Sequence, residues 1–106
     1  MAAPKGGEVW IADLGIASKV RPVWFVSFGY SNRDYALIAV VPHTTSARGS
    51  AFEVPLAVCG LRDGVFNVQG ILAVPTPRLI RKVTQLSGDQ MTSIEPAVRR
   101  WLGLGS

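Results

Sequence analysis

The sequence predicts a mainly β protein with one C-terminal helix, folded as a strongly bent antiparallel sheet or small open barrel that the helix closes. Three observations carry this. Five or six short runs of β-branched and aromatic residues follow one another from Glu8 to Val83, separated by clusters of Gly, Pro, Asn and Ser. A helical apolar period begins only after Ser87. The chain has 106 residues, 48% hydrophobic and 17% charged, which suits one modest core and is too little for two, so residues 1–106 are expected to form a single domain.

The elements follow in order. Residues 1–7 are small and Gly-rich, and Glu8 to Leu14 carries large β-formers as a first strand, ended by Gly15. A short connection, Gly15 to Val20, leads to Arg21-Pro22 and a second strand over Val23 to Phe28, with Pro22 expected at its first position, where a missing N–H does least harm. Gly29 to Asp34 is a turn by residue type. Tyr35 to Val41 is the central strand, apolar at consecutive positions and therefore expected to be buried on both faces, and Pro42 is expected to mark where its pairing ends. Ala47 to Ser50 reads as a polar loop and Ala51 to Leu56 as an alternating strand that Pro55 assigns to an edge or an end. Gly64 to Val68 and Gly70 to Val74 are two short apolar segments, after which Pro75-Thr76-Pro77 breaks the sheet. Arg78 to Val83 fits either a short helical turn or a strand with a basic face.

Ser87 with Gln90 three residues on forms a capping-box signature. Met91, Ile94, Val98, Trp101 and Leu102 then share one helical face, for core or dimer contact, and Gly103 ends the helix. Pro96 is expected to kink or split it, because it removes a backbone donor and crowds the preceding turn. Trp10, Trp24 and Phe25 are assigned to the core, and Cys59 is expected to be a small buried residue.

Eleven Lys and Arg against seven Asp and Glu give a net charge of +4, and eight of the eleven cations are arginine. That balance permits a polyanionic partner, and the guanidinium fork suits bidentate contact with phosphate. One cysteine excludes an internal disulfide, and with one histidine it cannot make a metal site of the usual N/S type, so no metal is expected. The first residues lack the apolar core of a signal peptide, and no apolar run approaches the ~20 residues of a membrane span. A cytoplasmic protein without a membrane partner is the expectation.

Candidate chemistry concentrates where the central strand opens into hydroxyls, at Pro42-His43-Thr44-Thr45-Ser46. Side chains just past a buried strand have rigid support yet reach solvent, as catalytic groups must, although Thr and Ser also start ordinary turns. His43, with an intrinsic pKa of about 6.5, suits a general base. Neighbours on an extended chain point to opposite sides, however, so His43 and Thr44 face one phosphate only if the turn rotates one of them; a packing or capping histidine is the other reading. Arg21 is, from the residues alone, either a surface cation at a strand start or an anion grip, and Glu53 reads as a solvated strand residue rather than an acid catalyst. Arg78, Arg81 and Lys82 can contact phosphates or simply be solvated.

Five segments, Gly7-Glu8-Val9-Trp10, Arg21-Pro22-Val23, Val41 to Thr45, Phe52-Glu53-Val54 and Ser87 to Leu102, resemble in order and rough spacing the MazF/PemK family of toxin endoribonucleases from bacterial toxin-antitoxin systems. The resemblance covers nearly the whole chain. It implies an SH3-like small barrel, a homodimer, and metal-independent, cofactor-free cleavage of single-stranded RNA that leaves 2',3'-cyclic phosphate and 5'-hydroxyl ends. It maps the family's catalytic arginine onto Arg21 and its catalytic hydroxyl onto Thr44, with His43, Thr45 and Ser46 beside them as possible catalytic or supporting residues. Gln69 matches the glutamine of the family's Asp-Gln step and, with Arg78, Arg81 and Lys82, is a candidate substrate contact. A cognate antitoxin is the implied partner. The chain departs from the commonest pattern in its short Gly15–Val20 connection and in Val68-Gln69, which lacks the acidic residue. A second reading is a non-catalytic toxin or interaction module of the same fold, like the CcdB toxins that trap DNA gyrase.

Overall fold

The computed structural model of the protein describes residues 6–15, 19–26 and 35–104. Among the described residues seven strands are seen: β1 (Glu8–Asp13), β2 (Val20–Phe25), β3 (Leu37–Thr44), β4 (Glu53–Pro55), β5 (Val65–Asn67), β6 (Leu72–Pro75) and β7 (Leu79–Gln85), followed by α1 (Gly88–Leu102). Neighbouring strands pair antiparallel, in the order β4-β5-β3-β2-β1-β7, with β6 branching from β3. The order has two ends, so these strands bend around the core as an open barrel rather than a closed one. Of Arg78 to Val83, Arg78 closes a 3-10 turn and the rest resolves as strand, since Leu79 to Gln85 pairs with β1. The turn expected at residues 29–34 and the end of the second strand at 27–28 lie outside the described residues.

The central strand is buried on both faces, as its unbroken apolar run predicts. Val40 joins Trp10, Val23, Phe25 and Ile38 on one side, and Val41 joins Val9, Trp24, Phe66 and Ile94 on the other. Trp10, Trp24 and Phe25 are core residues, with the Trp10 and Phe25 rings stacked at 5.8 Å.

Pro42 does not end the strand. β3 runs through it to Thr44 and pairs with β5 at His43↔Phe66 and Thr44↔Val65. Alternate residues of a strand direct their backbone groups to opposite neighbours. Val26 donates its N–H to the Ala39 carbonyl, so residues 39, 41 and 43 face β2, and Pro42 faces the other side. On that side pairing with β6 stops at Val40 and pairing with β5 begins at His43. The missing donor therefore falls in the gap between two partners, where it costs no ladder bond. Pro22 is likewise interior to β2 rather than first. Its missing donor points towards β3 just beyond Val23↔Pro42, the last pair of that ladder.

The helix begins at the predicted box: Ser87 Oγ accepts the Gln90 N–H at 3.1 Å, and Gln90 Oε1 accepts the Ser87 N–H at 2.8 Å. Gly103 closes it in the left-handed conformation, φ 70°. Contrary to expectation the helix is not split at Pro96, which is exposed, and runs as one element through it. Ile94, Ala97 and Val98 enter the core, whereas Trp101 and Leu102 are 40% and 46% exposed, and Trp101 meets Phe52 edge-on at 5.3 Å. Cys59 is exposed, because it sits in the loop after β4 and not on a core-facing strand position.

Candidate active site

β2 and β3 bring Arg21 and Thr44 together. Extended two residues past its last pair, their register, Val23↔Pro42, Trp24↔Val41 and Phe25↔Val40, sets Arg21 across from Thr44, on the sheet face that carries Val23 and Val40. Both residues border a cleft of about 540 Å³, with His43, Ser46 and Gln69. Thr45 borders a neighbouring, smaller cleft instead. Arg81 and Lys82 stand on β7, at the far end of the strand order, with Arg78 in the 3-10 turn just before it, and none of the three lines either cleft. Lys82 Nζ lies 3.0 Å from Glu8 Oε2, and Arg78 lies 3.9 Å from Asp13.

The Thr44 hydroxyl oxygen accepts the backbone N–H of Ser46 at 3.1 Å. A hydroxyl has two acceptor lone pairs and one proton, so this bond occupies an acceptor site and leaves the proton available to donate. A guanidinium on the facing strand and a hydroxyl with a free proton make a site for a tetrahedral oxyanion.

His43 borders the cleft but is only 3% exposed, with its ring edge-on to Phe66 at 4.9 Å. Its Nε2 is buried with no hydrogen-bond partner, as is the indole nitrogen of Trp24. An unpartnered buried polar atom costs about 1–3 kcal/mol, whereas an aromatic edge contact returns about 0.5–1.5 kcal/mol. Stability alone does not account for a histidine here. Burial also holds its pKa below the ordinary 6.5. The unfolded chain therefore takes up a proton more readily than the folded one, and His43's contribution to stability, complete above about pH 6.5, is lost as the pH falls below it. Urea unfolding at pH 7.5 and 5.5 is expected to show this fall, and a His43→Phe variant to flatten it. An equal fall in that variant would assign the effect to other groups.

The cleft's outer wall is the loop of residues 46–52, and Glu53 shapes it. The Glu53 carboxylate accepts the N–H of Arg48 through both oxygens at 3.0 Å and the N–H of Ser50 at 2.9 Å. These backbone donors, that of Arg48 foremost, lower its pKa below the usual 4.5. Glu53 is a strand residue, as expected, at the start of β4, and its carboxylate in addition braces the loop. Its stabilisation is present above the unfolded pKa and is lost as the pH falls through the folded one. The braced loop presents Arg48 and Ser50 to the cleft, opposite Asn67 and Gln69, and Ser50 Oγ stands 3.5 Å from Gln69 Oε1. Reading the sequence missed Arg48, Ser50 and Asn67. The available signal was a carboxylate three residues after Ser50 in a Gly-containing loop, a spacing that suits side-chain capture of backbone N–H groups.

Two glycines permit close approach around the site. A Cβ on Gly70, in the cleft lining, would lie 2.9 Å from Pro42 Cγ, and one on Gly64 would clash with the Thr44 carbonyl oxygen. Among the described residues no group of three or more His, Cys, Asp or Glu is placed to hold a metal ion. No helix among them is long and apolar enough to cross a membrane.

A family model of PemK-like, MazF-like toxins of type II toxin-antitoxin systems matches residues 5–102. Among solved structures, the chain is similar to an endoribonuclease from a mycobacterial species in complex with its cognate antitoxin, at 27% identity and a TM-score of 0.83 over 98% of this chain and 99% of that one. It is similar to the Mycobacterium tuberculosis toxin MazF-mt6 at 29% identity and a TM-score of 0.79, over 93% of this chain and 99% of that one. A MazE–MazF structure from Deinococcus radiodurans shares the fold at 20% identity and a TM-score of 0.81, over 99% of this chain and 100% of that one. With a family match over nearly its whole length and the mainly antiparallel sheet and C-terminal helix of these structures, the chain belongs to the PemK-like, MazF-like toxins of type II toxin-antitoxin systems.

Proposed function

We propose that this protein is a sequence-specific endoribonuclease that cleaves single-stranded RNA without a metal, acting as a growth-inhibiting cytoplasmic toxin that a cognate antitoxin neutralises. The observation that carries the reading is the convergence of Arg21 and Thr44, from adjacent strands, on one polar cleft. Similarity to a mycobacterial endoribonuclease solved with its antitoxin supports both the activity and the partner. A homodimer is proposed on the same family ground.

In the reaction the 2'-oxygen of RNA attacks the adjacent phosphorus and loses its proton, the bond from phosphorus to the 5'-oxygen breaks, and that oxygen takes up a proton. The products are a 2',3'-cyclic phosphate and a 5'-hydroxyl. Arg21 grips the phosphate and stabilises the charge that grows on its oxygens, and Thr44 donates to a non-bridging oxygen and holds the group in line. Proton donation to the leaving oxygen is a secondary role for Arg21, because a guanidinium parts with its proton reluctantly. His43 supports Thr44 from the buried side, and Ser46 and Gln69 line the substrate's path. No step of this chemistry requires a cofactor.

The test is incubation of the purified toxin, free of antitoxin and in EDTA, with a pool of single-stranded RNA and a matched DNA pool. Cleavage of RNA alone with cyclic-phosphate and 5'-hydroxyl termini is the expected result. Intact RNA from a correctly folded protein would overturn the reading and turn the search to a protein target.

A further inference from the structure

Arg21, His43 and Thr44 border two clefts, not one. The larger, of about 540 Å³, is walled beyond them by Arg48, Ser50, Asn67 and Gln69. The smaller, of about 290 Å³, is walled by Ile11, Val20, Pro22, Leu61 and Arg62. The chemistry of the two differs: beyond the shared residues the first offers mostly hydrogen-bonding side chains, the second the aliphatic surface of Ile11, Val20, Pro22 and Leu61 with the Thr45 hydroxyl and the Arg62 guanidinium. Gly60, at φ +91°, turns the chain so that Leu61 and Arg62 stand at the small cleft, and the Leu61 N–H is tied back to the Val58 carbonyl at 3.1 Å.

A phosphodiester carries a nucleoside on each of its two ester oxygens. A phosphate held between Arg21 and Thr44 therefore sends its two neighbours in different directions, and the two clefts diverge from those same residues. We propose that the clefts are the two nucleoside subsites flanking the scissile bond, the polar one reading a base by hydrogen bonds to its edge and the small one holding the other base by stacking and apolar contact. Base edges in single-stranded RNA are free for hydrogen bonding, and aliphatic or guanidinium surfaces accept a base face whatever its identity. The polar cleft accordingly sets a strict preference on its side of the bond and the small cleft a looser one, sensitive to base size. This inference rests on the nuclease reading above and deepens it by assigning Val20, Leu61 and Arg62, which no other consideration brings into the site.

The experiment maps cleavage of a randomised single-stranded RNA pool by the wild-type protein, by Val20→Ser and Arg62→Ala for the small cleft, and by Arg48→Ala and Gln69→Ala for the polar one. Val20, Arg48, Arg62 and Gln69 are all exposed, so each change spares the core. The two small-cleft variants are expected to lose discrimination at the nucleotide on one side of the scissile bond, and the two polar-cleft variants on the opposite side, each by ~10-fold, about the size of one stacking or hydrogen-bond contact. If both pairs shift the same side, or if cleavage persists with every preference unmoved, the subsite assignment is wrong while the nuclease reading stands. A wild-type protein that leaves the pool intact sinks both.

Discussion

Arg21→Ala is expected to lower RNA cleavage by about 100- to 1,000-fold, the effect of removing one preorganised group that stabilises transition-state charge. The size follows from where the residue stands. Arg21 is half-buried at the start of β2, opposite Thr44 and at the junction of both clefts, so its charge is fixed before substrate arrives and no reorganisation is needed as charge builds on the phosphate. Arg21→Lys separates charge from shape. A lysine keeps the positive charge but loses the planar fork, and an activity between those of the wild type and the alanine variant is expected. Thr44 supplies the paired test. Thr44→Val removes both the donated proton and the acceptor that holds the Ser46 N–H, whereas Thr44→Ser retains both, so serine is expected to restore most of what valine loses. Single-turnover rates measured at saturating enzyme, with circular dichroism to verify the fold, decide the matter. An alanine variant at wild-type speed would remove Arg21 from the chemistry.

The second large effect comes from a residue with no side chain. Gly64→Ala would drive a Cβ into the Thr44 carbonyl oxygen and set it 2.8 Å from His43 Cε1. Neither obstacle can rotate aside: one is backbone, and the other belongs to a ring packed on Phe66. The start of β5 must move off the end of β3 at the point that carries Thr44. Overpacking of this kind costs about 1–3 kcal/mol of stability. A displacement of ~1 Å at a reacting group can cost ~100-fold in rate. Well below the unfolding midpoint, the variant should therefore show a large fall in kcat with a smaller change in KM. Gly88→Ala is the control, since it opens the helix and meets nothing within 4 Å. The same change there is expected to leave rate and stability close to wild type. Equal behaviour of the two variants would show that Gly64 is a permissive position and not part of the site's construction.

Much of the molecule can be read directly from its sequence, and the readable parts are those fixed by neighbours along the chain. The capping box at Ser87 and Gln90, the left-handed Gly103 and the doubly buried β3 each follow from residues within a few positions of one another. The resemblance to a family pattern also singled out Arg21 and Thr44, and the fold sets both at one cleft although 22 intervening residues separate them in the chain. What local sequence misjudged were the prolines. Pro22 and Pro42 were read as boundaries, yet each lies inside its strand, and the helix runs unsplit through Pro96. For Pro22 and Pro42 the cost of a missing donor depends on whether a partner stands opposite, and strand order alone decides that. The same holds for the cleft. Residue type gives Glu53 as a carboxylate, and only folding brings three accepted N–H contacts from Arg48 and Ser50 onto it. The sequence by itself determined the elements, the helix caps and the charges available. Tertiary structure decided which polar groups meet, with Arg21 brought to the cleft of Thr44 while Arg78, just before β7, and Lys82, on β7, stand beside the carboxylates of β1, because sheet order, unlike periodicity, is set by contacts between residues far apart in the chain.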